Sequence, residues 1–310
     1  MATEPVVYLG GKFAPASQAH ISIYNLGIVL GATLTDFLRT FHHKPNRVED
    51  HVRRFYSSCK YARMTPPVTS EEATRITCEI AERNAPLLPP DGDMGIIYFI
   101  TPGENLIYAG SAAGGVKTAP TFCIHTFPLP FFLFQNFFTK GIHMVTPSVR
   151  HVPPQCVDPK IKNRSRLHWW LADQEVHLVD PEAMTWLLDL DGNLTESGGS
   201  NVLLVKDGTV ISPTTRNILL GTSRNVVIKL CGKLGIPFVE RDVQVFNALT
   251  ADEIISTNTP YCLAPVTKVN GVPIGDGQPG GPIFERLLAA YSDEVGLDIR
   301  AQFLNAKAPA

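Results

Sequence analysis

No excess charge of either sign marks the chain: its 310 residues carry 27 Lys and Arg against 29 Asp and Glu, a formal charge of −2. That balance excludes the basic surplus of a typical nucleic-acid binder. Cysteine is sparse and scattered. Of Cys59, Cys78, Cys123, Cys156, Cys231 and Cys262, the closest two are 19 positions apart, so no CxxC pair, zinc spacing or short disulfide framework arises. No segment reaches the roughly 18 consecutive apolar residues of a membrane span. The opening MATEPVVYLGGKF has no charged stretch followed by a long apolar run, so a signal peptide is not expected. A reducing cytoplasm is the expected compartment, with most cysteines acting as small buried apolar residues. Repeats and low-complexity segments are also missing. What is present is ordinary: 44% hydrophobic and 18% charged residues exclude global disorder. The length suggests two domains or one large α/β domain. Composition names no function.

Local patterns are more informative. Residues 6–14, VVYLGGKFA, place two short apolar runs around Gly10-Gly11, a hairpin signal. Thr33 to Phe41 reads as a strand. In RVEDHVRRFYSSCKYARM, Val48, Val52, Phe55 and Cys59 recur at spacings of four, three and four, which predicts an amphipathic helix. Thr69-Ser70-Glu71-Glu72 opens a second helix with Ile76 and Ile80 facing inward. MGIIYFIT at 94–101 reads as a strand. A Phe-rich segment then runs from Phe127 to Phe138, and Pro128 and Pro130 forbid a continuous helix there. It reads either as a buried connector or as an interdomain linker that walls a pocket. From Trp186 onward short strands alternate with turns, including Asp-Gly at 207–208. A helix is predicted from Gly221-Thr222-Ser223 to Leu234, stopped by Gly235, and a last one from about Pro282 to Glu294.

Chemistry is suggested by the order of several short motifs. Lys162 lies in DPKIKNRSRLHWW, and Glu196 follows 34 residues later in LTESGGSNV. Gly221-Thr222-Ser223-Arg224 comes 25 residues after Glu196 and opens a helix, whose free N–H groups make a ready anion site. Ser256-Thr257-Asn258-Thr259 reads as a small polar loop after the strand-like ADEII. Upstream, Arg54 sits on the amphipathic helix in Asp50-His51-Val52-Arg53-Arg54.

Taken in this order, the DHVRR helix, IKN lysine, LTES..SNV, GTSR and ADEII..TNT resemble the fold-type IV aminotransferases. This pyridoxal phosphate family includes branched-chain and D-amino acid aminotransferases and aminodeoxychorismate lyase. The resemblance covers about residues 5–275. It implies a two-domain α+β or α/β fold, with a small N-terminal α+β domain at 1–126, the Phe/Pro-rich linker at 127–138 and a larger domain at 139–310. The larger domain would carry a pseudo-barrel of short strands with flanking helices, and the cofactor would lie in the cleft between the domains.

The resemblance also implies roles. Lys162 would form the Schiff base with pyridoxal 5'-phosphate and act as general acid and base, with Lys160 as its rival. Glu196 would face the pyridine nitrogen. Arg54, Thr222, Ser223 and Thr259 would hold the phosphate, Arg53 would be a solvated neighbour, and Asn201 would be structural. On the substrate side the motifs depart from the family. Thr35-Asp36 replaces the Tyr-Glu pair of the D-amino acid enzymes, and the segment from Pro102 to Tyr108 lacks their Arg and His. Thr35, Arg39, Tyr108, Arg164 and Arg166 are the candidates left for substrate contact, with His168 and Trp169 beside the last two. The implied reaction is transamination from an amino donor, an α-amino acid, to a 2-oxo acid. Aminodeoxychorismate lyase and an (R)-selective amine transaminase are the alternatives. The implied assembly is a homodimer, without metal, nucleic acid or membrane.

Overall fold

The computed structural model describes residues 4–108 and 119–308. The Met1–Thr3 start of the opening segment and the last two residues lie outside the described residues. The chain divides into two compact units: Met1–Leu129 with Ile161–Ser165, and Pro130–Lys160 with Arg166–Ala310.

The first unit is a six-stranded antiparallel sheet, among the described residues, backed by two helices. Its strand order is Lys12–Pro15, Val6–Leu9, Thr121–Pro128, Met94–Thr101, Leu34–Phe41, Lys44–Pro45. The first two strands form the expected hairpin. Gly10 and Gly11 have φ of 60° and 87°, the left-handed pair that a two-residue hairpin turn requires. The helix Val48–Tyr61 lays Val52, Phe55 and Cys59 on the sheet, where they meet Leu38, Ile96 and Tyr98. The helix Ser70–Asn84 adds Ile76 and Ile80 to the same core. A capping box starts it: the Glu72 amide donates to Thr69 Oγ1 (3.2 Å), and the Thr69 amide donates to Glu72 Oε2 (2.8 Å).

Two features of this unit differ from the sequence-based domain boundaries. The strand Thr121–Pro128 continues through Phe127 and Pro128, which pair with Gly95 and Met94, so the 127–138 segment is not one linker. The segment Ile161–Ser165 also belongs here, although the sequence predicts a continuous domain over 139–310. The Thr35 amide donates to Lys162 O (2.9 Å) and the Arg164 amide to Thr33 O (2.8 Å), which aligns this segment with the start of Leu34–Phe41.

The second unit is built on a nine-stranded mixed sheet among the described residues. Its path runs Phe238–Glu240, Thr209–Ser212, Asn201–Lys206, Glu253–Asn258, Cys262–Val269, Ile142–Val145, Met184–Leu188, Leu194–Ser197, and Val272–Pro273 pairs with Cys262–Val269. Leu194–Ser197 ends this path, yet a tight Ser197–Ser200 turn joins it to Asn201–Lys206 near the other end, so the sheet curls. The helices Leu167–Val179, Thr222–Leu234 and Pro282–Val295 flank it. Gly235 ends the second of these in the left-handed conformation, φ 65°. A further short helix, Ile299–Leu304, follows the one expected to be last. The Phe-rich residues from 131 on form a 3₁₀ turn, Phe131–Phe134, and a short helix, Gln135–Thr139. Phe131, Phe134 and Phe138 pack on Phe303 with ring centroids 5.0–6.1 Å apart, and Phe134 and Phe137 pack on Tyr261. This is the buried-connector reading of that stretch. Ser256, Thr257 and Asn258 belong to the Glu253–Asn258 strand rather than to a loop.

Candidate active site

In the first unit the strand Leu34–Phe41 carries Asp36, and the helix Val48–Tyr61 carries His51 and Arg54 to it. Asp36 is fully buried. Arg54 donates Nε to Asp36 Oδ2 and an Nη to Oδ1, both at 2.8 Å, the two-pronged geometry that suits a guanidinium and a carboxylate. His51 Nδ1 donates to Oδ1 at 2.8 Å and the Phe37 amide at 2.7 Å. Burial opposes ionisation of Asp36, but Arg54 and His51 outweigh it and hold the carboxyl well below the usual range. Burial also pushes the His51 imidazole below its usual range against the pull of Asp36, and the charges of Arg54 and Lys162 add to that. Lys162 therefore lies within electrostatic reach of this cluster. Its amide donates to Ser58 Oγ (3.3 Å), which donates to Arg54 O (3.1 Å), so the lysine backbone is tied to the turn that carries Arg54. Lys160 belongs to the second unit, is exposed, and pairs with Asp158 at 3.4 Å.

In the second unit Glu196 projects from Leu194–Ser197. Its Oε2 accepts from the Leu219 amide (2.9 Å) and from Asn201 Nδ2 (3.2 Å), and its Oε1 faces His151 Nε2 at 3.5 Å. Asn201 Nδ2 also donates to Leu219 O (3.0 Å), which locks the amide in place. Gly221 caps the Thr222–Leu234 helix, and a Cβ there would stand 2.1 Å from Asn201 Oδ1. Only glycine lets the helix start come this close to the residue that holds Glu196. Thr222 and Ser223 are buried in the first turn, and Ser223 Oγ donates to Asn258 O (2.7 Å). Two buried hydroxyls next to these residues in sequence, Ser197 Oγ and Thr257 Oγ1, have no partner among the described residues. A helix start with free N–H groups, a fixed carboxylate and unsatisfied hydroxyls fit a phosphorylated heterocycle with a ring nitrogen. Among the described residues, no group of three or more His, Cys, Asp and Glu could hold a metal ion.

The class IV aminotransferase family model matches residues 33–269. The chain belongs to the class IV aminotransferases, which are pyridoxal phosphate enzymes. Among its relatives, a putative branched-chain-amino-acid aminotransferase of Methanocaldococcus jannaschii is 29% identical over 93% of this chain and 95% of its own. A D-alanine aminotransferase of Staphylococcus aureus is 26% identical over 92% of this chain and 96% of its own. The fold is that of a T.th. branched-chain amino acid aminotransferase complexed with N-(5'-phosphopyridoxyl)-L-glutamate. The two superimpose with a TM-score of 0.83 at 24% identity, over 95% of each chain.

Within this aminotransferase the remaining candidates divide by burial. Arg39 is 2% exposed, with Nη2 3.5 Å from Asp93 Oδ2 and its guanidinium 4.1 Å from the Phe41 ring centroid, so it is engaged inside the core. Thr35 is buried and donates its hydroxyl to Tyr98 O (2.8 Å). Arg53 is exposed and pairs with Asp50. Arg164 and Tyr108 are exposed, and Thr259 and Arg166 are half-buried, the latter with its guanidinium 5.4 Å from the Trp169 ring centroid. Sequence reasoning missed three partners. Asp36 had one usable signal, a carboxylate inside the apolar run LTDFLRTF. Asn201 reads as structural from the sequence alone, and it is the residue that fixes Glu196. His151 had no signal beyond its own side chain.

Proposed function

We propose that this aminotransferase moves an amino group from an α-amino acid to a 2-oxo acid, with Lys162 as its covalent and acid–base residue. The bound cofactor supplies an electron sink conjugated to the substrate α-carbon. Lys162 Nζ takes the α-proton as general base and returns it as general acid. Glu196 holds the pyridine N–H. Arg54, Thr259 and the Thr222–Ser223 helix start hold the phosphate and so fix the ring's orientation. Arg164 and Arg166 are the arginines left for a substrate carboxylate, and Tyr108 supplies an apolar wall.

The observation that carries this reading is the contrast between the two lysines. Lys162 has its backbone fixed on both sides, by Thr35 and by Ser58, beside Arg54, whereas Lys160 is a surface residue paired with Asp158. Fixed backbone keeps a reacting amine in register. Lys162→Ala should abolish turnover and the visible absorbance of the loaded enzyme, while Lys160→Ala keeps both. Full turnover in Lys162→Ala overturns the assignment.

A homodimer in the cytoplasm is part of the same proposal. The helix Leu167–Val179 buries Trp169, Ala172 and Val176 but leaves Leu167, Trp170, Leu171 and Leu178 exposed on another face. A helix that is apolar on two faces suits burial on both. The six cysteines are free, as a reducing compartment requires. No helix among the described residues is long and apolar enough to cross a membrane. Light scattering at twice the chain mass is the expected result.

A further inference from the structure

The two oxygens of Glu196 have different partners. Oε2 takes two neutral N–H donors, from Leu219 and Asn201. Oε1 is turned to His151 Nε2 at 3.5 Å, an ion-pair separation rather than a tight hydrogen bond. The other imidazole nitrogen is fixed. His151 Nδ1 lies 2.9 Å from Val152 O, and a carbonyl only accepts, so Nδ1 carries a proton and Nε2 is the nitrogen turned to Glu196. A bare Nε2 lone pair against a carboxylate oxygen repels, whereas a proton between them attracts. The ring is 7% exposed and is covered edge-on by Trp169, with centroids 5.7 Å apart. The other groups near it are His168, at 5.9 Å between rings, and Arg166 beyond it over Trp169. Burial, then His151 and Arg166, pull His168 down to about 4, so it stays neutral at ordinary pH. Glu196 is thus the anion paired with this imidazole.

We propose that His151 is a positioning residue for Glu196: an N–H on Nε2 faces Oε1 and holds the carboxylate in place for the pyridine nitrogen. This rests on the reading of Glu196 as the cofactor's ring-nitrogen partner. The proton stays on Nε2, and no bond is made or broken.

The test uses the holoenzyme with ¹⁵N-labelled histidine, together with His151→Gln, His151→Phe and Glu196→Gln. In the wild type, ¹⁵N spectra should show a proton on Nε2 of His151 as well as on Nδ1, and in Glu196→Gln the Nε2 proton should be lost. His151→Gln retains an N–H for Oε1 and should bind pyridoxal phosphate within about threefold of wild type. His151→Phe should bind about tenfold more weakly. A wild-type Nε2 without a proton overturns the proposal, as does a His151→Gln that binds as weakly as His151→Phe. The wild-type spectrum decides the matter even if His151→Phe does not fold. Cofactor affinity and absorbance indifferent to Glu196→Gln would instead remove the ring-nitrogen reading, while the Nε2 proton reports on the pair separately.

Discussion

Replacing Asp36 by Asn tests whether one buried carboxylate organises the first unit's half of the site. Asp36 is fully buried and accepts both prongs of Arg54, the His51 imidazole and the Phe37 amide. Removing one partner of a buried pair typically costs about 3–5 kcal/mol, because the other charge is left uncompensated. Arg54 is 12% exposed and Asn keeps one acceptor oxygen, which places the expected loss near 3 kcal/mol. All three tryptophans, Trp169, Trp170 and Trp186, lie in the second unit, so tryptophan emission does not read this change. Hydrogen exchange does. Peptides spanning Leu34–Phe41 and Val48–Tyr61 should exchange roughly a hundredfold faster in Asp36→Asn, with second-unit peptides as control. The pH dependence adds a second arm. The folded carboxyl is held below its unfolded value, so its contribution is complete above about pH 5 and fades as pH falls further. The wild-type advantage should therefore shrink from pH 6 towards pH 3. Equal protection in the two proteins, or a difference that does not change with pH, refutes the reasoning.

Three further outcomes follow from the same geometry. Gly221→Ala puts a Cβ 2.1 Å from Asn201 Oδ1, so it should destabilise by about 1–3 kcal/mol and weaken cofactor binding as Asn201 leaves Glu196; thermal unfolding and cofactor titration read the two effects. Arg54→Ala should lower pyridoxal phosphate affinity and leave Asp36 buried without its main partner, whereas the exposed Arg53→Ala should stay within about 0.5 kcal/mol of wild type in stability and bind normally. Incubation of the loaded enzyme with α-amino acids should convert the cofactor to its amine form and release the 2-oxo acid, read by absorbance; conversion with no amino acid, alongside pyruvate release from aminodeoxychorismate, would point to the lyase.

What could be read directly from the sequence was local. The helix Val48–Tyr61 is coded by one face of apolar residues, and the Val6–Pro15 hairpin by two adjacent glycines. The helix Thr222–Leu234 is bounded by Gly221 and Gly235. Non-local pairing left no such trace. The chain on either side of Lys162 points to the larger domain, yet its segment pairs with Leu34, about 130 residues earlier, and so belongs to the first unit. The strand Cys262–Val269 lies inside its sheet although Pro265 cannot donate to the ladder, and a proline in an apolar run argues against a central strand. Ile299–Leu304 is too short to show a period, and Phe303 is buried by the Phe-rich segment rather than by its neighbours in sequence. The site followed the same division. Lys162, Glu196 and the GTS helix start are short motifs, while Asp36, Asn201 and His151 matter through what they touch.

The charges of the site show why counting them along the chain misleads. Along the chain Arg54, Lys162, Arg164 and Arg166 are all positive, and the resemblance assigns Arg54 to the phosphate and offers the last two to the substrate. In the fold, Arg54 sits on Asp36, a full negative charge held ionised by that contact, so the pair is close to neutral before any ligand arrives. A phosphate that meets Arg54 meets an oriented fork of donors more than a net charge. Orientation fixed in advance lowers the entropy lost on binding, and it carries the geometric specificity that a mobile lysine lacks. The same logic removes Arg39 from the substrate side, and Arg224 is held in the same way. Each is about 2% exposed and paired with a carboxylate, Asp93 and Glu240 respectively. Arg164 and Arg166 differ from these two in reaching solvent, the first exposed and the second half-buried. Substrate acids are therefore expected to lose affinity on Arg164→Met or Arg166→Met, seen as a rise in KM for the 2-oxo acid. Arg39→Met should instead unfold the first unit without a selective change in KM. A selective KM effect of Arg39→Met in a folded protein would reverse this assignment.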